Sequence, residues 1–331
     1  MNKNVRILIL IGAILIGIGI IFCIKNKLID KNIEIRVLNN STTYKNNKTV
    51  ANKGKKGKIN IKMNVDKAGF YRIDFINLQE GFNIYPDSEY NNKISSIYKI
   101  YNDSIRDEFS VYYKNDGDKY NVDIKIEVKY SENVETMTNL AHTKEYIWSD
   151  EYRPYIESIT FEKNNDFICE DLCFDISNKI GKVYAKLIKK ENNYDLKIIS
   201  DTEIYLPIDS SYLFSDFTNL KNIEFSNINT NYLENVSYMF AQDPKLEKLD
   251  LSIFNTLKIK NMDYMFMNSS MLKEIDLSTF TFDDKTTDNL FMNIKEDSII
   301  YVKSSVEQAW IFGPNNTNRP QSWKARNVLI K

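Results

Sequence analysis

One histidine, His142, stands in a chain of 331 residues, and only three cysteines accompany it. So thin a supply works against chemistry built on imidazole or thiolate. No Ser/His/Asp set presents itself, and a zinc site of paired Cys and His ligands is not expected. Glycine is sparse at ten residues, and neither a phosphate-cradling Gly-rich loop nor a Gly-x-Ser-x-Gly elbow occurs. Proline is sparser still, at six, which excludes a collagen-like or Pro/Gly-rich disordered chain. Neither sign of charge dominates. The 44 basic and 45 acidic residues leave a formal net charge of −1, which gives no bulk attraction to nucleic acid or another polyanion.

The one long apolar run is residues 7–24, rich in Ile and Leu. At 1.5 Å per residue it spans roughly 27 Å, enough for a slightly stretched membrane crossing. Lys3 and Arg6 precede it; Lys25, Lys27 and Lys31 follow. Its end, Ile20-Ile21-Phe22-Cys23-Ile24, lacks the small residues of a cleavage site, and Phe22 before Cys23 argues against lipidation. The expectation is an uncleaved single-pass signal anchor: residues 1–6 a cytoplasmic tail, 7–24 the transmembrane helix in the lipid bilayer, and 25–32 a polar tether. Both flanks are basic, so charge does not set the orientation.

From residue 33 to about 135 short runs alternate with period two. Ile59, Ile61 and Met63 interleave with Lys and Asn. Phe70, Arg72 and Asp74 oppose Tyr71, Ile73 and Phe75. Val122, Ile124, Ile126 and Val128 interleave with Asp, Lys and Glu. Such patterning predicts an all-β, antiparallel sandwich of Ig-like or jelly-roll type. Asp116-Gly117 predicts a hairpin between the strands around 109–112 and 120–128. A calcium loop at 115–118 lacks the further ligands and closing Glu, so a plain turn is preferred. The basic tract Lys53-Gly54-Lys55-Lys56-Gly57-Lys58 reads as a solvated loop rather than a contact for anionic polymer.

The C-terminal half repeats itself. Ser211-Tyr212-Leu213-Phe214 aligns with Ser237-Tyr238-Met239-Phe240, Asp263-Tyr264-Met265-Phe266 and Asp288-Asn289-Leu290-Phe291, and the terminal Phe residues fall 26, 26 and 25 apart. Between them recurs Leu220-x-x-Ile223-x-Phe225-Ser226, Leu246-x-x-Leu249-x-Leu251-Ser252 and Leu272-x-x-Ile275-x-Leu277-Ser278. A fixed period in the twenties with an L-x-x-L-x-L phrase is the mark of a leucine-rich repeat. Leu249 and Leu251 alternate as in a strand, whereas Ile259, Met262, Met265 and Phe266 step by three and four as on a helix face. No unit of that size buries both apolar faces alone, so copies must stack. The expected fold is a short α/β leucine-rich-repeat solenoid of three to four repeats (211–293). A junction and N-terminal cap (136–210) precede it and a C-terminal cap (294–331) follows. In the latter, a strand at 299–302, a helix at 304–312 with Trp310 on the last repeat, and a final strand at 328–330 are expected.

After each strand comes Ser-x-Ile/Phe-Asn-Thr (226–230; 252–256), and then Asn-x-x-Tyr-Met-Phe (235–240; 261–266). These residues resemble the BspA-like class of bacterial surface leucine-rich repeats, also called the mycoplasma lipoprotein-associated repeat family, over roughly residues 145–310. The resemblance implies an extracellular bacterial protein used for adhesion or binding, with no catalytic residues. It also supplies the orientation that charge does not: C-terminal domains outside the plasma membrane.

Candidate site residues are few. Glu224, Asp250 and Asp276 stand between the core positions of successive repeat strands and form an acidic column, flanked by Lys221, Glu247 and Lys273, which alternate in sign. Like charges on adjacent strands repel unless neutralised. The column is therefore either a recognition face for a basic partner or metal ion or, by the preferred plainer reading, a solvated face repeated with its unit. Tyr212, Tyr238 and Tyr264 form a second column, read as packing before a sugar-stacking platform. Cys169 and Cys173, four apart, either form a disulfide or remain thiols. No cofactor, metal or nucleic acid is expected. The function expected is a membrane-anchored surface protein recognising a protein or glycan ligand at the cell surface. The alternative is a scaffolding component of the cell envelope that binds another membrane or cell-wall protein. An enzyme is the reading with no residue set behind it.

Overall fold

A computed structural model describes residues 31–38, 41–45, 49–50, 55–76, 78–118, 121–122, 124–178, 180–314 and 318–331. The expected tail and the span 7–24 lie outside the described residues. Among those described, no helix is long and apolar enough to cross a membrane. The described residues thus supply no single-pass anchor, and the plasma-membrane placement that rested on one is withdrawn. The fold class is corrected as well. Strands and turns carry the architecture, and the one α-helix among the described residues is α1 (Ser305–Ile311), seven residues long.

The first ten strands are β1 (Lys31–Leu38), β2 (Ser41–Lys45), β3 (Thr49–Val50), β4 (Lys55–Val65), β5 (Gly69–Ile76), β6 (Phe82–Tyr85), β7 (Ser96–Tyr101), β8 (Ile105–Asn115), β9 (Asn121–Val122) and β10 (Lys125–Ser131). The chain divides into two compact units. The first draws on the segments Met1–Asp66, Phe75–Ile94 and Ser104–Glu127. It holds a five-stranded sheet in the order β2-β1-β4-β8-β6. In β4 every second residue from Ile59 to Val65 is buried while Lys58, Asn60, Lys62 and Asn64 keep to the other face, the alternation a one-sided sheet needs. Lys55 to Lys58 belong to this strand rather than to a loop; Lys53 and Gly54 lie outside the described residues.

Two expectations about these strands are overturned. The sheet is mixed, because β1 and β4 run parallel from Lys31 opposite Ile59 to Val37 opposite Val65. Nor does a hairpin form at Asp116-Gly117. β8 pairs with β4 and β6, whereas β10 belongs to a separate sheet of order β10-β5-β7. The turn instead closes onto Gly81, whose carbonyl accepts the Asp116 N–H at 2.8 Å. A Cβ on Gly117 would stand 2.3 Å from the Glu80 carbonyl oxygen, so close backbone approach, not hairpin geometry, demands the glycine.

The second unit takes Lys67–Asp74, Ser95–Asp103 and Val128–Lys331. Its later strands are β11 (Ile156–Lys163), β12 (Cys173–Asp175), β13 (Val183–Lys189), β14 (Tyr194–Ser200), β15 (Ile204–Tyr205), β16 (Asn222–Glu224), β17 (Ile228–Asn229), β18 (Lys248–Asp250), β19 (Glu274–Leu277), β20 (Ile299–Val302) and β21 (Val328–Ile330). A sheet of order β12-β13-β14-β11-β16 opens the repeats, with β16 parallel to β11. β18, β19, β20 and β21 continue as a parallel sheet. Phe214, Phe240, Phe266 and Phe291 are fully buried, with successive ring centroids 5.7, 6.2 and 5.8 Å apart. Trp310 stacks on Phe282 at 4.5 Å and Trp323 meets Phe291 at 5.4 Å.

What stands where a helix was expected is a pair of turns. The N–H groups of Tyr212, Phe214 and Asp216 donate to the carbonyls of Ser237, Met239 and Ala241 in the next copy. Those of Tyr238, Phe240 and Gln242 donate likewise to Asp263, Met265 and Met267, and those of Tyr264, Phe266 and Asn268 to Asp288, Leu290 and Met292. The residues in between turn back locally: Leu213 to Ser210 and Ser215 to Tyr212, as do Met239 to Val236 and Ala241 to Tyr238. A helix would spend every one of these donors within its own segment. Two residues per copy adopt left-handed backbone, with φ of 59° and 63° at Tyr212 and Asp216, 56° and 63° at Tyr238 and Gln242, and 58° and 63° at Tyr264 and Asn268. The Asn of Asn-x-x-Tyr-Met-Phe starts each turn, since Asn235 and Asn261 accept the N–H of Ser237 and Asp263 at 3.1 and 2.8 Å, an Asx turn.

Charge is buried in the same unit. Arg72 is fully buried; its Nε reaches Asp74 Oδ1 and its Nη2 reaches Asp201 Oδ2, both at 2.6 Å, and Nη1 donates to the Tyr98 hydroxyl at 2.9 Å. Burial opposes its charge, but Tyr98, Asp201 and Asp74 together hold the guanidinium above its ordinary value. Removing the cation alone leaves two carboxylates buried without it. Arg72→Leu should therefore cost about 3–5 kcal/mol, read as a lowered urea midpoint with unchanged slope. A loss below about 1 kcal/mol would show that the network does not hold the fold together.

Candidate functional site

The repeat strands turn the candidate residues outward from two successive sheets. Asp250 stands opposite Asp276, and Asp276 opposite Tyr301, in register across β18, β19 and β20. Glu224 holds the same place in β16, opposite Thr160 of β11. Ile223, Leu249 and Ile275 are buried beneath, so the alternation that fills the core also turns these acids outward.

The acidic column is not uniform. Asp276 is only 4 % exposed and is ion-paired with Lys331, the last residue of the chain. Burial works against its charge, but Lys331 and the hydroxyl and N–H of Ser278 hold its carboxyl below the usual range. Asp250 is exposed and accepts the Ser252 N–H at 2.9 Å. Glu224 is exposed too. Among the described residues neither Glu224 nor Asp250 has an ion pair.

The charges around them do. Lys273 Nζ bonds Glu247 Oε2 at 2.7 Å across one repeat, which lowers the Glu247 carboxyl. Lys221 Nζ bonds Glu157 Oε1 of the cap at 2.9 Å. Lys248 and Glu274, which interleave with the column, pair at 2.9 Å. Lys221, Glu247 and Lys273 are thus spent in ion pairs along their own column, Lys221 on Glu157, rather than on the acids beside them. Glu157 and Lys331 play parts that sequence reasoning missed, since neither lies inside a repeat and no period points to it.

The aromatic column lies on the turn side. Tyr212 and Tyr238 stack with centroids 4.5 Å apart and planes at 6°, and Tyr238 and Tyr264 at 4.7 Å and 8°. His142 meets Tyr212 edge-on at 5.1 Å, with Nε2 3.0 Å from Ser211 Oγ. The ring faces between copies are taken up by one another. Cys169 and Cys173 are joined by a disulfide. It lies in a turn where Asp171 and Leu172 have φ of 38° and 34°. No group of three or more His, Cys, Asp or Glu able to hold a metal ion occurs among the described residues.

One acid lies beneath the turns. Asp243 is fully buried; Oδ1 accepts the Phe217 N–H at 2.8 Å and Oδ2 has no partner. Burial first, then the charge of Asp216, pushes its carboxyl well above the usual value against the pull of the Phe217 N–H and Arg153.

With the geometry in view, the comparisons are brief. Residues 188–298 match the family model described as "Mycoplasma protein of unknown function, DUF285". The match takes in about a third of the chain, including the three repeat strands, and that stretch is similar to this family of mycoplasma repeat proteins. A search of the curated proteins finds no match, and neither does a search of the solved structures.

The raised Asp243 carboxyl has a signed consequence. A neutral acid contributes its stability fully below the ordinary carboxylate range, near pH 4, and loses it as pH rises toward the raised value. The urea midpoint of the parent should therefore carry a fall above about pH 4 that Asp243→Asn, always neutral, does not share. Identical pH profiles for the two proteins would refute this assignment.

Proposed function

We propose that the repeats form a recognition module of the BspA-like leucine-rich-repeat kind, in a turn-based form, that binds a basic protein segment through the sheet face. The observation that carries this reading is the lack of an ion pair at Glu224 and Asp250. Both are exposed at the same place in their repeats and neither has an ion pair among the described residues, whereas Lys221, Glu247, Lys248, Lys273, Glu274 and Asp276 are all paired. A Lys- or Arg-bearing segment would supply the two carboxylates with a counter-charge. Such a segment would lie across the strands and meet both acids at once. The repeated Asn-x-x-Tyr-Met-Phe phrase and the family-model match over 188–298 support the assignment of the repeats. Protein is favoured over glycan because the stacked tyrosines cover one another's ring faces, leaving little of the flat surface on which a sugar stacks. The module is proposed as non-catalytic, its work being recognition alone.

A phage-displayed peptide library, panned on the full chain at low salt, tests this. Lys/Arg-rich peptides should be enriched, and the double reversal Glu224→Lys/Asp250→Lys should weaken the best of them about tenfold or more, with binding also lost at high salt. Glu296→Lys, an exposed reversal near the last repeat, should leave binding unchanged. Enrichment of uncharged peptides, or indifference to the double reversal, would rule the face out.

A further inference from the structure

A cleft of about 420 Å³ opens beside the first repeat, at the head of the tyrosine column. Its chemistry comes from His142, Lys144, Asp150, Arg153, Tyr212 and Asp216. None of them belongs to the sheet face described above. Arg153 decides what the cleft can do. Its side chain is only 8 % exposed, fixed in a short 3-10 turn with Pro154 next to it. It forms ion pairs with Asp150 Oδ1 at 3.6 Å and Asp216 Oδ2 at 3.8 Å, too long for hydrogen bonds. Among the described residues the guanidinium donates none. Its ion pairs with Asp150 and Asp216 leave the guanidinium N–H groups at the cleft wall free to donate to a ligand there. A planar oxyanion can accept two parallel N–H bonds from such a fork.

The surrounding charge selects among oxyanions. Lys144 stands 3.6 Å from Asp150, so the groups run Lys144, Asp150, Arg153, Asp216 in alternating sign and sum to zero. A phosphate dianion would meet the fields of two carboxylates at close range and be disfavoured. A single carboxylate is less repelled, and donors elsewhere on the same molecule can be accepted by Asp150 and Asp216. The volume suits a ligand of amino-acid or monosaccharide size.

We propose that this cleft binds a small carboxylate ligand that carries hydrogen-bond donors of its own, with Arg153 taking the carboxylate and Asp150 and Asp216 taking the donors. Ammonium and hydroxyl donors both satisfy that chemistry. Titration calorimetry on the full chain separates them by using a free amino acid (glutamine) in one arm and glucuronate in the other, with inorganic phosphate as the dianion. One of the two carboxylates should bind, and phosphate at least about tenfold more weakly. Arg153→Lys, which keeps the charge but loses the planar fork, should weaken the preferred ligand about tenfold. Asp150→Asn, at a carboxylate 78 % exposed, cannot unfold the chain and should also weaken it. Near-ultraviolet dichroism of each unliganded variant keeps loss of fold apart from loss of site. The proposal is overturned if neither carboxylate binds, if phosphate binds as tightly, or if both variants bind as the parent does.

Discussion

Backbone amides donated from one copy to the next fix the geometry of the repeats. Three successive alternate residues in each turn segment send their N–H groups across the junction, and the residues between them close local turns. Because the cross-junction donors fall on every second residue, copies can shift only by two, and a shift of two would take Phe240 out from between Phe214 and Phe266. The register is therefore doubly determined, by hydrogen bonds and by the buried Phe column. Two left-handed residues per copy cost roughly 1–2 kcal/mol each. One buried Phe returns about 1.5–3 kcal/mol, and each copy also buries Leu and Met beside it. Burial outweighs the strain, and tyrosine is tolerated at a backbone angle it rarely adopts.

The same constraint explains what could be read from the residues alone. The period was legible because columns of identical side chains must stack, and Leu220, Leu246 and Leu272 are all fully buried. The conformation between the strands was not. Steps of three and four among Ile259, Met262, Met265 and Phe266 are shared by a helix face and by a run of tight turns that buries the same residues. Only the destination of the N–H groups separates the two, and that is a property of the neighbouring copy. Hydrophobic spacing reports which side chains face inward, not which hydrogen bonds the backbone makes. Gly117 was misread for a related reason: its smallness answers to the Glu80 carbonyl, distant in sequence.

Of the candidate site, the columns could be read and their electrostatics could not. The sign alternation of Lys221, Glu247 and Lys273 is visible in the sequence, but not which charges it pairs. It is consumed in ion pairs along its own column. Lys331 neutralises Asp276 from the far end, outside any repeat. A column of three like charges thus reduces to two, and the distinction rests on Lys331, which follows β21.

Translation from copy to copy ends at the first repeat, and side chains that would otherwise meet their own kind must find substitutes there. Asn268 and Asn293, at the second left-handed position of later copies, bond each other at 2.7 Å. Asp216, at that position in the first copy, has no earlier copy to meet and faces Arg153 of the cap. Tyr212 has no earlier tyrosine, and the edge of His142 takes its place. Trp148, fully buried, donates its indole N–H to the Leu213 carbonyl at 2.7 Å. The cap matches the stack well where apolar surface must be covered. It matches loosely around Arg153, whose two carboxylate neighbours stand at ion-pair distances too long for hydrogen bonds. A repeat array supplies like partners to its interior copies by translation, so its first copy must draw on the cap instead. The cleft beside Arg153 is a product of that broken symmetry, whereas the sheet face with Glu224 and Asp250 is a product of the symmetry itself.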